Sequence, residues 1–242
     1  MSSNTRDRRR IVSSLMMVLM FLFADIALPQ AVPDWSTDTL QDENSVSQTT
    51  STSNATKDTA IDSANPTTNY ASEETVSLGM SMNGESRILI SFNNTIPSSD
   101  LVNYASLKLT CGIDPLDIET ISIFNSRMKK SWNETNVNWN GPNTGGIWGQ
   151  PGADDSSDHS SWEPPFHGYA NNTFLINVTA IVQDAVINSR STIDLLIVAK
   201  GPQYQCYLSE SADPNNRPNL EIVHQAGTHT SGGTLTPNFV ED

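Results

Sequence analysis

Between residues 75 and 223 the chain breaks into short apolar runs, none longer than seven residues, each closed by Asn, Gly, Pro or Ser. Such punctuation excludes a fold built on long helices. Within the runs the apolar period is mostly two: Ala105, Leu107, Leu109 and Cys111 alternate with Ser106, Lys108 and Thr110, as a half-buried strand requires. Further runs at 75–79, 87–92, 118–124, 174–178, 193–199, 203–209 and 220–223 read the same way, and many short strands predict an all-β sandwich or barrel. One segment departs from period two. Ile181, Val182, Ala185 and Val186 share a helical face, with Thr179 placed to cap the first amides, so a single short helix is expected over one end.

The ends of the chain have other compositions. Arg6, Arg8, Arg9 and Arg10 precede an apolar stretch at 11–23, too short to span a bilayer and typical of an export leader. Residues 1–31 therefore read as a signal peptide that is cleaved, leaving no stable membrane span and placing the protein outside the cell or at its surface. Residues 32–57 are rich in Ser, Thr, Asp, Asn and Gln and read as a disordered tether. Residues 226–242 read as a flexible tail, which leaves 58–225 as one domain.

Removing residues 1–31, with four basic and two acidic side chains, moves the formal charge from −14 to −16. A nucleic-acid partner needs a clustered basic face, and in sequence only residues 127–130 gather cations. No nucleic acid is expected as a partner.

Several segments taken in order carry a family likeness: DTAIDSANPTTNYASEETVSLG at 58–79, RILISF at 87–92, ASLKL at 105–109, WNETNVNWN at 132–140, WGQPGADD at 148–155, NVTAIVQDAV at 177–186, IDLLIVAK at 193–200 and SESADPNNRPNLEI at 209–222. Their order and spacing resemble the DNRLRE-domain, or family 96, carbohydrate-binding modules. That resemblance implies a jelly-roll-type β-sandwich with one short helix. It also implies noncatalytic attachment to an extracellular polysaccharide or cell-surface glycan, with polyuronates such as alginate among the ligands. The chain departs from the family pattern at Ala185, where a bulky aromatic is usual, and at Ser91, where a second basic residue is usual. Losing that cation weakens a claim on polyanions.

Sugar binding by a sandwich needs exposed rings to stack on pyranose faces and fixed polar partners for hydroxyls. Trp132 and Trp139 belong to the family-like motif, and Trp139 shares a strand face with Val137, so both read as structural. Trp148, Trp162 and Tyr169 lie in a long Gly/Pro-rich excursion at 141–172, which by its length is either functional or disordered. They are the expected binding residues: Trp148→Ala and Trp162→Ala should weaken binding, and Trp139→Ala should lower stability. Arg87 either pairs with an acid or offers a cation to a ligand carboxylate. Glu210 and Arg217 bracket a turn and are expected to clamp it together. No cofactor is implied with certainty; calcium is the one to consider. Asp154, Asp155 and Asp158 are closely spaced oxygen ligands and Asp62 a further candidate, although solvated loop acids or turn formation explain all four.

Cys111 and Cys206 both fall on apolar phases, so they form either a disulfide closing about 95 residues or two buried thiols. Sequons at Asn54, Asn93, Asn133, Asn171 and Asn177 make a glycoprotein possible where the export route supports it, with Asn54 the most accessible. The sequence has no nucleophile elbow, zinc-protease motif or phosphate loop, and its four histidines suggest no nucleophile and base pair. The chain is therefore read as noncatalytic. The other reading is a structural or adhesion domain of the cell surface without a glycan site.

Overall fold

The computed structural model describes residues 47–112, 120–169 and 173–227. The expected leader, most of the tether and almost all of the tail lie outside these residues. The elements run β1 (Gln48–Asn54), β2 (Lys57–Asp62), β3 (Thr75–Ser81), β4 (Gly84–Asn93), β5 (Leu101–Gly112), β6 (Thr120–Arg127), β7 (Phe166–Tyr169), β8 (Thr173–Asn177), α1 (Thr179–Ile187), β9 (Thr192–Lys200), β10 (Tyr204–Tyr207) and β11 (Asn219–Gln225). Every strand pairing is antiparallel. β1, β11, β5 and β8 form one layer, and β2, β4, β9, β6 and β7 the other; β10 and β3 join them, with β10 bonded to both β5 and β3. The fold is an all-β sandwich.

Period two decides what fills it. Ala105, Leu107, Leu109 and Cys111 of β5 meet Ile88, Ile90 and Phe92 of β4 and Ile193, Leu195 and Ile197 of β9 in the main core. The expected helix is present, and Ile181, Val182, Ala185 and Val186 are its buried residues. Its start differs from expectation. Val178 is at the cap position with no side-chain bond, while the Thr179 hydroxyl accepts the Ala105 N–H at 2.9 Å and so ties the helix to β5.

Two further differences concern boundaries. Residues 48–54 form β1 inside the stretch read as tether, so the sandwich begins before residue 58 and Asn54 sits at a strand end. The segment is polar and gave no apolar signal. It is held by the ladder to β11 and by His224, whose ring bonds Ser51 Oγ at 3.0 Å and Asp100 at 2.7 Å. The cysteine alternatives resolve to a disulfide: Cys111 and Cys206 face each other across the β5–β10 pairing and are bonded.

The excursion after β6 is ordered where it is described. It leaves and returns at one place, since Met128 bridges His159 and the amides of Ser160 and Glu163 donate to the carbonyls of Arg127 and Asn125. Between these points it folds over the outer face of the second layer. Trp132, Val137, Trp148 and Ala153 there form a second core with Ile61, Leu89, Leu196 and Val198. β4 and β9 are thus buried on both faces.

Candidate functional site

The expected site residues are Trp148, Trp162, Tyr169 and Arg87; the fold brings Arg87 and Trp162 to one groove and places Trp148 elsewhere. Trp148 is 3 % exposed, and its indole N–H donates to the Asn138 carbonyl at 2.9 Å. No ring face is left for a sugar. The alternation that puts Val137 inward, followed by a tight turn, brings this tryptophan back against the sheet, so it belongs with the buried Trp132 and the half-buried Trp139 as part of the second core. Tyr169 is the last residue of β7, across the sheet edge from Thr120.

Arg87 answers its alternatives in favour of pairing. It is 6 % exposed and bonds both oxygens of Glu85, two residues away on the same strand face, at 3.0 Å each. A terminal nitrogen also donates to the Gly152 carbonyl and to Asp154, each at 2.9 Å. The guanidinium lies 5.2 Å from the Trp139 ring. Gly152 completes the lock: its N–H donates to the Trp139 carbonyl at 2.7 Å, its φ is +83°, and a Cβ there would come within 2.6 Å of the indole. Only glycine fits that contact. Arg87 therefore fastens the excursion to the sheet through four hydrogen bonds and also lines the groove beside Trp162.

Among the expected residues whose exposure is described, Trp162 stays at the surface, 37 % exposed. It is held on two sides, 4.4 Å from the His159 ring and edge-on to Phe124 at 6.5 Å. His159 is itself fixed by Ser126 Oγ at 3.1 Å. The indole lines a groove of about 310 Å³ together with Met80, Glu85, Arg87, Asp154 and Lys200. Alternation explains the set: Glu85 and Arg87 share a face of β4, and Val198 and Lys200 share the same layer face on β9. A fixed ring beside an exposed ammonium and two carboxylates is what stacking plus hydroxyl recognition needs. Lys200 and Met80 carried no motif, and only their strand phase could have found them.

The acids read as calcium candidates do not converge. Asp154 pairs with Arg87; Asp62 accepts the Ala64 N–H, the Asn65 amide and the Tyr70 hydroxyl in a local turn. Asp155 accepts the Ser157 N–H in another. Asp158 is fully buried, yet Lys130 at 2.7 Å and the amides of Gly149 and Gln150 overcome burial and hold its carboxyl below the usual range. It is an internal ion pair.

The expected Glu210 to Arg217 clamp takes another form. Arg217 closes the turn by donating to the Ser211 carbonyl at 2.8 Å, while Glu210 turns toward Asp58 and Glu134. Oxygens of these three carboxyls lie within 4.8 Å of one another, a group that could hold a metal ion among the described residues. Sequence reasoning missed it, because its members come from positions 58, 134 and 210. The environment favours a proton. Burial pushes the Asp58 carboxyl up to about 7 against the Ser209 hydrogen bonds, with Glu210 and Glu134 adding to the rise. Burial also raises Glu134, which accepts the Asp58 N–H at 2.7 Å.

The sign of the effect on stability follows. Asp58 ionises in the unfolded chain near 3.8 and in the fold near 7, so folding loses free energy as pH rises between these values and no more above them. The loss is at most about 4 kcal/mol. Asp58→Asn removes it. The melting temperature of the variant relative to the parent should therefore climb from pH 4 to pH 8; a constant gap would show that Asp58 ionises normally in the fold.

Among the described residues no helix is long and apolar enough to cross a membrane. Comparison with curated proteins returned no match. A sequence profile described as carbohydrate-binding module family 96 matches residues 49–224, which takes in all but the first residue of β1, all but the last of β11, and everything between. With the all-β sandwich and the groove beside Trp162, the match over most of the chain establishes that this protein belongs to carbohydrate-binding module family 96.

Proposed function

We propose that the protein is an exported, noncatalytic module that attaches to an extracellular polysaccharide or cell-surface glycan through the groove beside Trp162. The observation that carries this reading is a partly exposed indole braced by His159 and Phe124, with Lys200, Glu85 and Asp154 in the same groove. A braced ring loses little freedom when a pyranose stacks on it. Family membership supports the ligand class, and the leader-like residues 6–23 support export.

Two measurements test it. On a glycan array at millimolar calcium and without calcium, the purified chain should bind a defined subset of glycans, and Trp162→Ala should weaken that binding about tenfold or more. The same variant should cost clearly less folding stability than Trp148→Ala, because Trp162 is 37 % exposed and Trp148 only 3 %. A second reading is favoured by the inward turn of Trp148 and the internal pairing of Arg87: a structural or adhesion domain of the cell surface without glycan binding. An array without any bound glycan would select it.

A further inference from the structure

We propose that the cleft formed by Lys57, Arg127, Lys129, Lys130 and Arg190 is a second site, one that binds a sulfate ester carried by a saccharide. That the ligand is a saccharide rests on the reading above; that it carries sulfate rests on the cleft. In a chain with 13 cations and a formal charge of −14, five cations converge on one concavity of about 410 Å³. The fold assembles them from separate places: the start of β2, the end of β6 and the residues after it, and the turn before β9.

Structural pairing does not account for the gathering. Lys130 is neutralised by the buried Asp158 at 2.7 Å, and Lys57 lies 3.6 Å from Asp194. Arg127 and Arg190 share a single carboxylate, Asp184, each through its Nε, at 2.9 and 3.2 Å. Lys129 is exposed and donates to the Ser156 carbonyl at 2.9 Å. Among the described residues five cations have three carboxylates in direct ion-pair contact, Asp158, Asp184 and Asp194, while Asp155 and Glu134 act on Lys130 and Lys57 from farther away. Gathering more cations than direct ion-pair partners in one concavity raises the local potential and favours an incoming anion.

Donor geometry selects the anion. Asp184 takes the Nε of both Arg127 and Arg190, which leaves terminal guanidinium nitrogens beside ammonium groups that come from other elements. Donors arriving from several directions suit the three free oxygens of a sulfate ester. Ser131, Ser191 and Thr192 line the same cleft and offer hydroxyls to the sugar that bears it. Asp194 at the cleft and Lys200 at the Trp162 groove are six residues apart on β9, roughly 20 Å at the usual strand rise, so the two sites can be altered separately.

The test is calorimetry on the full chain with a sulfated galactan tetrasaccharide, its desulfated form, an unsulfated uronate tetrasaccharide, a sulfated monosaccharide and inorganic sulfate. Binding of the sulfated tetrasaccharide should weaken about tenfold on desulfation and about tenfold in the Lys129→Gln, Arg190→Gln double variant, with a shallower salt dependence. Lys129→Arg should keep it, and an unchanged melting temperature shows that the double variant is folded. Equal affinity for the sulfated and desulfated forms, equal affinity for the uronate, inorganic sulfate binding as tightly as the sugar, or an indifferent double variant would each overturn the proposal. The two readings fail separately. Binding that depends on Trp162 but not on sulfate leaves the groove and removes the cleft; binding of the sulfated monosaccharide that depends on Arg190 but not on Trp162 leaves the cleft alone.

Discussion

Trp148→Ala should destabilise the protein by about 3–5 kcal/mol, the usual range for removing a buried large aromatic. At roughly 2–4 °C per kcal/mol for a domain of this size, the melting temperature should fall by about 6–20 °C. Two losses combine. The cavity opens beside Val137, Ala153 and the outward face of β4 and β9, and the Asn138 carbonyl loses its indole donor. Trp148→Phe should recover much of the packing but not the hydrogen bond, and so fall between the two. Any change in glycan binding by Trp148→Ala should follow unfolding, in contrast to Trp162→Ala. A Trp148→Ala variant that melted with the parent yet lost binding would return this residue to the binding surface.

Replacing both cysteines by alanine is the second large expected effect. The bond closes a segment with a sequence separation of 95, for which the chain-entropy account gives about 4 kcal/mol. The melting temperature should drop by about 8–16 °C. Reductant should produce a comparable fall in the parent and none in the double variant. The strands concerned make the bond more than a generic staple, because β10 is the strand that pairs with both β5 and β3 and so connects the two layers. An unchanged melting curve would mean that the ladder alone holds β10.

Most of the sandwich was legible because its strands have one face to the core and the other to polar neighbours, and alternation reports that directly. β5 and β11 are of this kind. β1 was not legible, since an edge strand of Thr, Ser and Asn is stabilised by backbone pairing, which leaves no hydropathy pattern. β9 carried a signal that period-two reading passes over: Leu195 to Ala199 is unbroken apolar sequence, as expected of a strand covered on both faces. Something had to lie over its outer side, and the excursion was the one long segment to do it. Seen that way, Trp148 belonged to the cover. Loop position suggested exposure for all its aromatics, and only tertiary packing separates Trp148 from Trp162. Arg87 and Glu85 were a pair legible by spacing, but the third and fourth partners, Gly152 and Asp154, were not. The carboxyl group at 58, 134 and 210 and the cation cleft both draw on distant positions, which a linear pattern does not bring together.

The way the excursion joins the sandwich has a consequence for what the module can lose. Its two ends meet at the Met128–His159 bridge, so everything between them is an insertion at a single point of the strand order. A change of length between these two residues need not reroute any strand, and Trp162 follows the bridge closely, beside the groove. Deletion is another matter. It would leave Ile61, Leu89, Leu196 and Val198 facing water, an apolar patch that invites self-association. The insertion is therefore not dispensable: any replacement would again have to bring apolar side chains to those four.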